Sequence, residues 1–280
     1  MGKDAHFFIH IDKKSDVEEF KRHLSPDSGN IHYVEPIKIR WATISQVEYQ
    51  IRMLQAAIGS PVRFDYLFML SAFDYPLWSN ERITGYLRQH QGREYLAGIQ
   101  VQSTFYLKDL QREYHPDFEK AWLPDSLNHL IRGGLRHVAR LAGFRKPAQV
   151  TLANGSRYDV YKGSDYFCIT RELAEYVVEQ YHKHPEIKKY FTNTFAPSET
   201  LVHTIAFNSR FRDNCIAIKG PYQGLASLTP LHYLEGCNIK ILDESDFTKL
   251  IQSGKMFARK FRTAKSEGLI RMLEKYKKRR

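Results

Sequence analysis

A chain of 280 residues, 42% hydrophobic, 13% aromatic and 26% charged, has the composition of a folded domain and excludes disorder. At this length a core forms without staples, and the three cysteines, Cys168, Cys215 and Cys237, are widely spaced with no C-x-x-C pair, which points to a reducing compartment and away from structural zinc. Lys and Arg outnumber Asp and Glu by 42 to 31, a formal +11 that favours an anionic partner such as phosphate, acidic glycan, nucleic acid or an anionic bilayer.

No apolar run approaches the roughly 18 to 20 residues of a membrane helix, and residues 1–4 begin no long apolar leader. The expectation is a cytoplasmic chain, at most peripheral on the inner face of a membrane. Residues 6–12 are short, apolar and aromatic and read as a strand, followed by a helix whose S-x-x-E box starts at Ser15. Residues 31–40 look extended with Pro36 at an edge or break, and 43–58 follow a helical pattern stopped by Gly59 and Pro61. Residues 64–70 are nearly all apolar, the signature of a strand covered on both faces. A turn over 71–76 leads to a helix over 79–90.

Residues 100–154 carry the weakest pattern: Arg, His and aromatics, with one amphipathic segment near 127–141 broken by Gly133 and Gly134. This reads as an excursion from the sheet. Strands follow over 158–161 and 163–169, a helix over 171–182, and another opened by Pro197, whose missing N–H costs nothing at a helix start. A helix near 244–252, the run over 256–261 with its two cations between aromatics, and a basic terminal helix over 263–280 complete the chain. Strands alternating with helices predict an α/β fold, a mixed sheet flanked by helices, in one domain over 1–262.

Few residues stand out chemically. Glu199 at a helix start suits a general base in a dry cleft, and equally suits the dipole of a first helical turn. Arg259 and Lys260, set between Phe257 and Phe261, suit a diphosphate clamp or a solvated basic turn. Asp12 closes the first strand, where ligands gather in open α/β sheets and where a carboxylate also caps the next turn. His10 and Asp12 at i, i+2 make two metal ligands without a third, so a strand-packing histidine is the better reading. The dinucleotide, P-loop, zincin and serine-hydrolase signatures are absent, and so is any D-x-D triplet of the kind that holds a nucleotide-sugar diphosphate through a hard cation.

Five motifs in order carry a resemblance: Ile9-His10-Ile11-Asp12-Lys13-Lys14-Ser15, Leu70-Ser71-Ala72-Phe73-Asp74-Tyr75-Pro76-Leu77, Gly163-Ser164-Asp165-Tyr166-Phe167, Ala196-Pro197-Ser198-Glu199 and Phe257-Ala258-Arg259-Lys260-Phe261. Together, over residues 6–262, they resemble the core-2/I-branching β-1,6-N-acetylglucosaminyltransferases, a family that includes the peptide xylosyltransferases. The resemblance implies a variant GT-A fold, lacking here the usual first strand-helix unit, and inverting transfer from a UDP-sugar without cofactor or divalent metal. It implies that Glu199 is the general base, that Lys260 with Arg259 meets the diphosphate, and that Asp12 contacts the nucleoside end of the donor. A further phosphate-binding arginine of the family, upstream of F-A-x-K-F, has no counterpart, and Lys240 is the nearest cation. Tyr233, in Tyr-x-Glu-Gly, and Asp165 fall on the acceptor side, with residues 100–154 as the acceptor excursion.

The leading expectation is thus a glycosyltransferase of surface-polysaccharide assembly, with a glycan or lipid-linked glycan acceptor and a basic tail resting on an anionic membrane. The alternative is a non-catalytic sugar or nucleotide binder derived from this family. Nucleic acid is not expected as a partner: the 17 tyrosines and 17 phenylalanines fall mostly in core-like patterns without an RNP or zinc-finger signature.

Overall fold

The computed structural model describes residues 5–24, 29–117, 123–235 and 240–278, so Cys237, Gly236 of the Tyr-x-Glu-Gly motif and the last two arginines lie outside the described residues. The opening apolar run forms β1 (Phe7–His10), which pairs in parallel with β2 (Ile31–Val34), Phe7 opposite Ile31. Between them α1 (Val17–His23) starts one residue later than its S-x-x-E box suggests: Asp16 is the cap and accepts from Glu19 N–H at 3.0 Å. Either hydroxyl or carboxylate can fill that position, and the carboxylate wins by also complementing the helix dipole.

Helix α2 (Ser45–Ile58) buries Val47, Ile51, Leu54 and Ala57 on one face, with Gln50 as a buried polar exception. β3 (Tyr66–Phe68) is covered on both sides as its composition requires. Leu67 and Met69 join the main core with Leu96, Ile99, Phe167 and Phe207, while Tyr66 and Phe68 join a second cluster around Tyr95, Cys168 and Phe257. β4 (Tyr75–Pro76) and α3 (Asn80–Gln89, capped by Ser79) follow, then β5 (Ala97–Gln100).

The weakly patterned excursion holds more regular structure than its sequence suggests. It contains α4 (Phe105–Arg112), α5 (Asp125–Leu141) and a hairpin of β6 (Gln149–Thr151) with β7 (Arg157–Asp159). Gly133 and Gly134 lie inside α5 without breaking it. β8 (Tyr161–Lys162) and β9 (Cys168–Thr170) flank a non-strand connection over 163–167, where the sequence pattern had suggested strand.

Helices α6 (Arg171–Lys183), α7 (Pro185–Thr192) and α8 (Leu201–Phe207) come next, α8 buried at every position and entered through a 3-10 turn, Pro197–Glu199. β10 (Ile216–Ala217), β11 (His232–Leu234), α9 (Phe247–Gln252), β12 (Phe257–Arg259) and α10 (Thr263–Lys277) complete the described elements.

The result is mixed α/β, with helices flanking mixed strand pairings. β3 runs antiparallel to β9; β5 pairs in parallel with β10 and antiparallel with β8; β12 pairs in parallel with β11 and antiparallel with β4. Tyr95, just before β5, exchanges backbone hydrogen bonds with Cys168 at 2.8 and 3.2 Å, tying β9 to the β5 group. Leu77 N–H reaches the Met256 carbonyl at 2.7 Å and Phe261 N–H the Phe73 carbonyl at 2.9 Å, so the segment around Asp74 is fastened to β12 from both ends. That fastening sets Asp74 against Arg259, and a separate bond from Gly163 N–H to the Glu199 carbonyl holds the 163–165 segment beside residue 199.

Candidate active site

The position of Glu199 is set by its backbone. Ala196 adopts a left-handed conformation (φ 46°), a strained state for a side chain with a Cβ, and donates to the carbonyl of Ala42, the other non-glycine with positive φ among the described residues, at 3.3 Å. Pro197 then opens the 3-10 turn and buried α8 fixes its far end. Gly163 N–H donates to the Glu199 carbonyl at 2.7 Å. That approach needs glycine, because a Cβ at 163 would stand 2.0 Å from His203 Nε2 and 2.5 Å from the Ala97 carbonyl oxygen. His203 itself is buried, accepts from Ser164 N–H at 3.3 Å, and is held neutral, its pKa lowered to about 3 by burial and then by the charge of Lys162.

The Glu199 carboxylate pairs with Lys162, whose side chain is 5% exposed against 19% for Glu199. The lysine therefore forms the floor and the carboxylate the accessible edge. Asp165 receives Gln50 Nε2 at 3.3 Å, and its carboxyl is pushed up to about 6 by burial and then by the negative charge of Glu199, against the pull of Lys162 and Arg259. Two carboxylates and two cations thus share one poorly solvated cluster. Burial, followed by the charge of Asp165, also raises the Tyr49 phenol.

Arg259 enters from β12. Its guanidinium lies over the Tyr166 ring at 4.2 Å, with Nε 3.6 Å from Asp74 Oδ1. Asp74 is already gripped by Ser71, through its N–H at 2.7 Å and its hydroxyl at 3.2 Å, and has His232 Nε2 at 3.4 Å. Arg259 consequently keeps Nε and Nη1 buried with no hydrogen-bond partner among the described residues. A guanidinium with unspent donors is a costly arrangement in a folded chain and a useful one beneath an oxyanion. Lys260, next in sequence, is half-buried and its ammonium has no protein partner among the described residues.

The remaining candidates sit apart from this cluster. Asp12 Oδ1 accepts from the N–H groups of Lys14 at 3.0 Å and Ile39 at 3.3 Å, and Oδ2 meets Lys14 Nζ at 3.3 Å, so its carboxylate caps the turn after β1. The preceding residue, Ile11, lines a cavity of about 170 Å³ with Tyr33 and Pro36 at the end of β1 and β2. His10 accepts from Ile37 N–H at 3.0 Å, stacks on Tyr49 at 5.5 Å, and has its pKa lowered by burial against the pull of Asp12. It is the strand-packing histidine. Among the described residues no three His, Cys, Asp or Glu side chains group as a metal site. Lys240 pairs with buried Asp246 rather than with any member of the cluster.

Tyr233 donates to Glu235, and burial followed by that carboxylate raises the phenol to about 12. Side chains alternate along β11, so Tyr233 faces the core of α9 and α10 while its neighbour His232 stacks on Phe257 and leans on Tyr166. His232, not Tyr233, joins the Arg259 cluster. The sequence reading also gave no role to Lys162, Asp74, Tyr166, Tyr49 or Gln50. Asp74 and Tyr166 sit inside quoted motifs and Lys162 directly precedes one. Gln50 was legible as a polar residue on the apolar face of α2.

A sequence model of the Core-2/I-Branching enzyme matches residues 2–220. The chain belongs to that family. Its members are glycosyltransferases, and the mixed α/β architecture is the one expected for their variant GT-A fold. Among curated relatives, Xylosyltransferase 2 of Rattus norvegicus and of Homo sapiens are each 25% identical, over 292 and 290 residues, covering 97% of this chain and 30% of the relative. Xylosyltransferase of Ciona intestinalis is 23% identical over 285 residues, covering 97% and 31%. The chain spans about a third of the length of these relatives.

Proposed function

We propose that the chain moves a sugar of the N-acetylglucosamine or xylose class from a UDP-sugar to a glycan hydroxyl, with inversion and without a divalent metal. The observation that carries this reading is Arg259, whose buried Nε and Nη1 have no hydrogen-bond partner among the described residues although Asp74 lies 3.6 Å away, and whose charge acts on Asp165 together with that of the accessible Glu199 carboxylate; Lys260 follows it in the chain. Acceptor oxygen attacks the anomeric carbon in line as the bond from that carbon to the diphosphate oxygen breaks. Glu199 takes the acceptor proton; Arg259 and Lys260 neutralise the charge that develops on the departing diphosphate. Lys162 is a positioning residue that holds the Glu199 carboxylate at the edge of the pocket. In this reading Asp165 bonds an acceptor hydroxyl and Asp12 meets the nucleoside end of the donor.

The test is a transfer assay with a panel of UDP-sugars and glycan acceptors. Glu199→Gln should lower kcat by about 10²- to 10⁴-fold while UDP binding persists. Lys162→Met should lower kcat with little change in the donor KM, and Lys162→Arg should restore most of it. Transfer that survives Glu199→Gln would exclude the base assignment. UDP binding without transfer to any acceptor would favour the non-catalytic binder.

A further inference from the structure

Helix α5 shows its apolar side to solvent. Leu127, Leu130, Leu135, Val138 and Leu141 fall within one face at helical spacing, and Leu130, Val138 and Leu141 are 70%, 62% and 75% exposed. Phe144, just beyond the helix, continues the stripe at 66%. The opposite face is the one that anchors the helix. Arg136 Nη2 meets Glu113 Oε2 at 3.0 Å, Arg140 Nη2 meets Glu113 Oε1 at 2.6 Å, and Asn128 and Ala139 are buried. A stripe of this size left in water is unfavourable by the transfer energy of several aliphatic side chains, so an occupant is called for.

Charge selects the occupant. Residues 126–146 carry five cations and no carboxylate: Lys146 is tied to Thr194, Arg136 and Arg140 share Glu113 with 41% and 49% of their side chains still exposed, and Arg132 and Arg145 have no ion pair among the described residues. A second copy of this face would set like charges against like, which disfavours self-association. An aliphatic stripe edged by cations, with exposed Phe105 and Tyr106 in the same excursion, suits a surface that is apolar in depth and anionic at its rim. We propose that α5 lies in the interface of an anionic phospholipid bilayer, its Leu and Val side chains at the acyl boundary, with Arg132, Arg145 and the exposed ends of Arg136 and Arg140 level with the headgroups.

This moves the membrane contact away from the basic tail expected from sequence. Lys277 pairs with Glu274, donates to the Pro76 carbonyl at 3.3 Å and lies over the Tyr75 ring at 4.9 Å, so it serves to dock α10. Leu269 and Leu273 bury one side of that helix, and Lys275 and Lys278 stay exposed. The inference does not rest on sugar transfer, and its test involves no catalysis.

Full-length protein is floated with vesicles of phosphatidylcholine alone and of phosphatidylcholine mixed with phosphatidylglycerol, at low and high salt. The wild type should bind the mixed vesicles, bind the neutral ones far less, and weaken with salt. The triple variant Leu130→Asp, Val138→Asp, Leu141→Asp should bind about tenfold less or worse, with an unchanged melting temperature because all three sites are exposed. Lys275→Glu with Lys278→Glu should reduce binding much less. Wild type that ignores the mixed vesicles, a triple variant that binds like wild type, or a wild type whose stripe is covered by dimerisation instead would each overturn the proposal.

Discussion

Around Glu199 the polar side chains are inside and apolar residues wrap them; along α5 the leucines face out, and Arg136 and Arg140 are half withdrawn beside Glu113. Both regions gather cations, yet they use them differently. On α5, Arg136 and Arg140 spend their charge on Glu113, two guanidiniums and His115 around one carboxylate. Arg259, 3.6 Å from Asp74 but not hydrogen-bonded to it, and Lys260, next in the chain, are left with donors to spare among the described residues. A structural ion cluster is saturated and a site for an anionic ligand is not, and that distinction is visible only once partners are known.

Glycine substitutions should separate the two regions most sharply. Gly163→Ala drives a methyl into His203 and a backbone carbonyl, and should cost about 3 kcal/mol or more, read as a fall in denaturation midpoint or a failure to fold. Gly134→Ala meets nothing within 4 Å in mid-helix and should stabilise by up to about 1 kcal/mol. Equal effects at the two sites would erase the contrast.

Acid titration of stability should divide them by sign. The Asp165 pKa is raised from 3.8 to about 6, so the folded state binds the proton more tightly and the wild type loses stability as pH rises through that window. Asp165→Asn should therefore be more stable than wild type at neutral pH and no different below about pH 4. Glu113 is shifted the other way: burial raises its pKa, but Arg140, Arg136 and His115 together outweigh that and leave it lowered. Glu113→Gln should cost about 1 to 3 kcal/mol at neutral pH, a cost that fades as acid protonates the wild-type carboxylate. Parallel pH profiles for the two variants would contradict these assignments.

The smallest expected effect is at Ala196. Glycine there removes a left-handed strain of about 1 kcal/mol, offset in part by added freedom in the unfolded chain. Ala196→Gly should be near neutral in stability and lower kcat through a looser Glu199. A rise in kcat would mean the strained turn does not position the carboxylate.

Local signals read well from the sequence because they depend on few neighbours: the stop at Gly59, the cap at Ser79, the proline opening the Glu199 turn, and β3 covered on both faces. Glu199, Asp165 and Arg259 were named through the motifs, and the structure brings these three together. What the sequence could not supply is the meeting of Lys162, Asp74 and His232 with them, because that depends on Leu77 and Phe261 fastening two distant segments. Gly133 and Gly134 misled for a related reason. Two glycines cost a helix about 2 kcal/mol, and the anchoring of Arg136, Arg140 and Ala139, invisible in a linear pattern, outweighs it. His232, which joins the Arg259 cluster, carries no motif signal, and it stands on the opposite face of β11 from Tyr233.

The central claim is a diphosphate site built from unspent cations, and calorimetric titration with UDP tests it most directly, in EDTA and again with Mn²⁺, on wild type and on Lys260→Ala. Binding that ignores the metal and weakens about tenfold in the variant is the predicted result. Absence of UDP binding in both buffers, or binding that requires Mn²⁺ and is indifferent to Lys260, would contradict it.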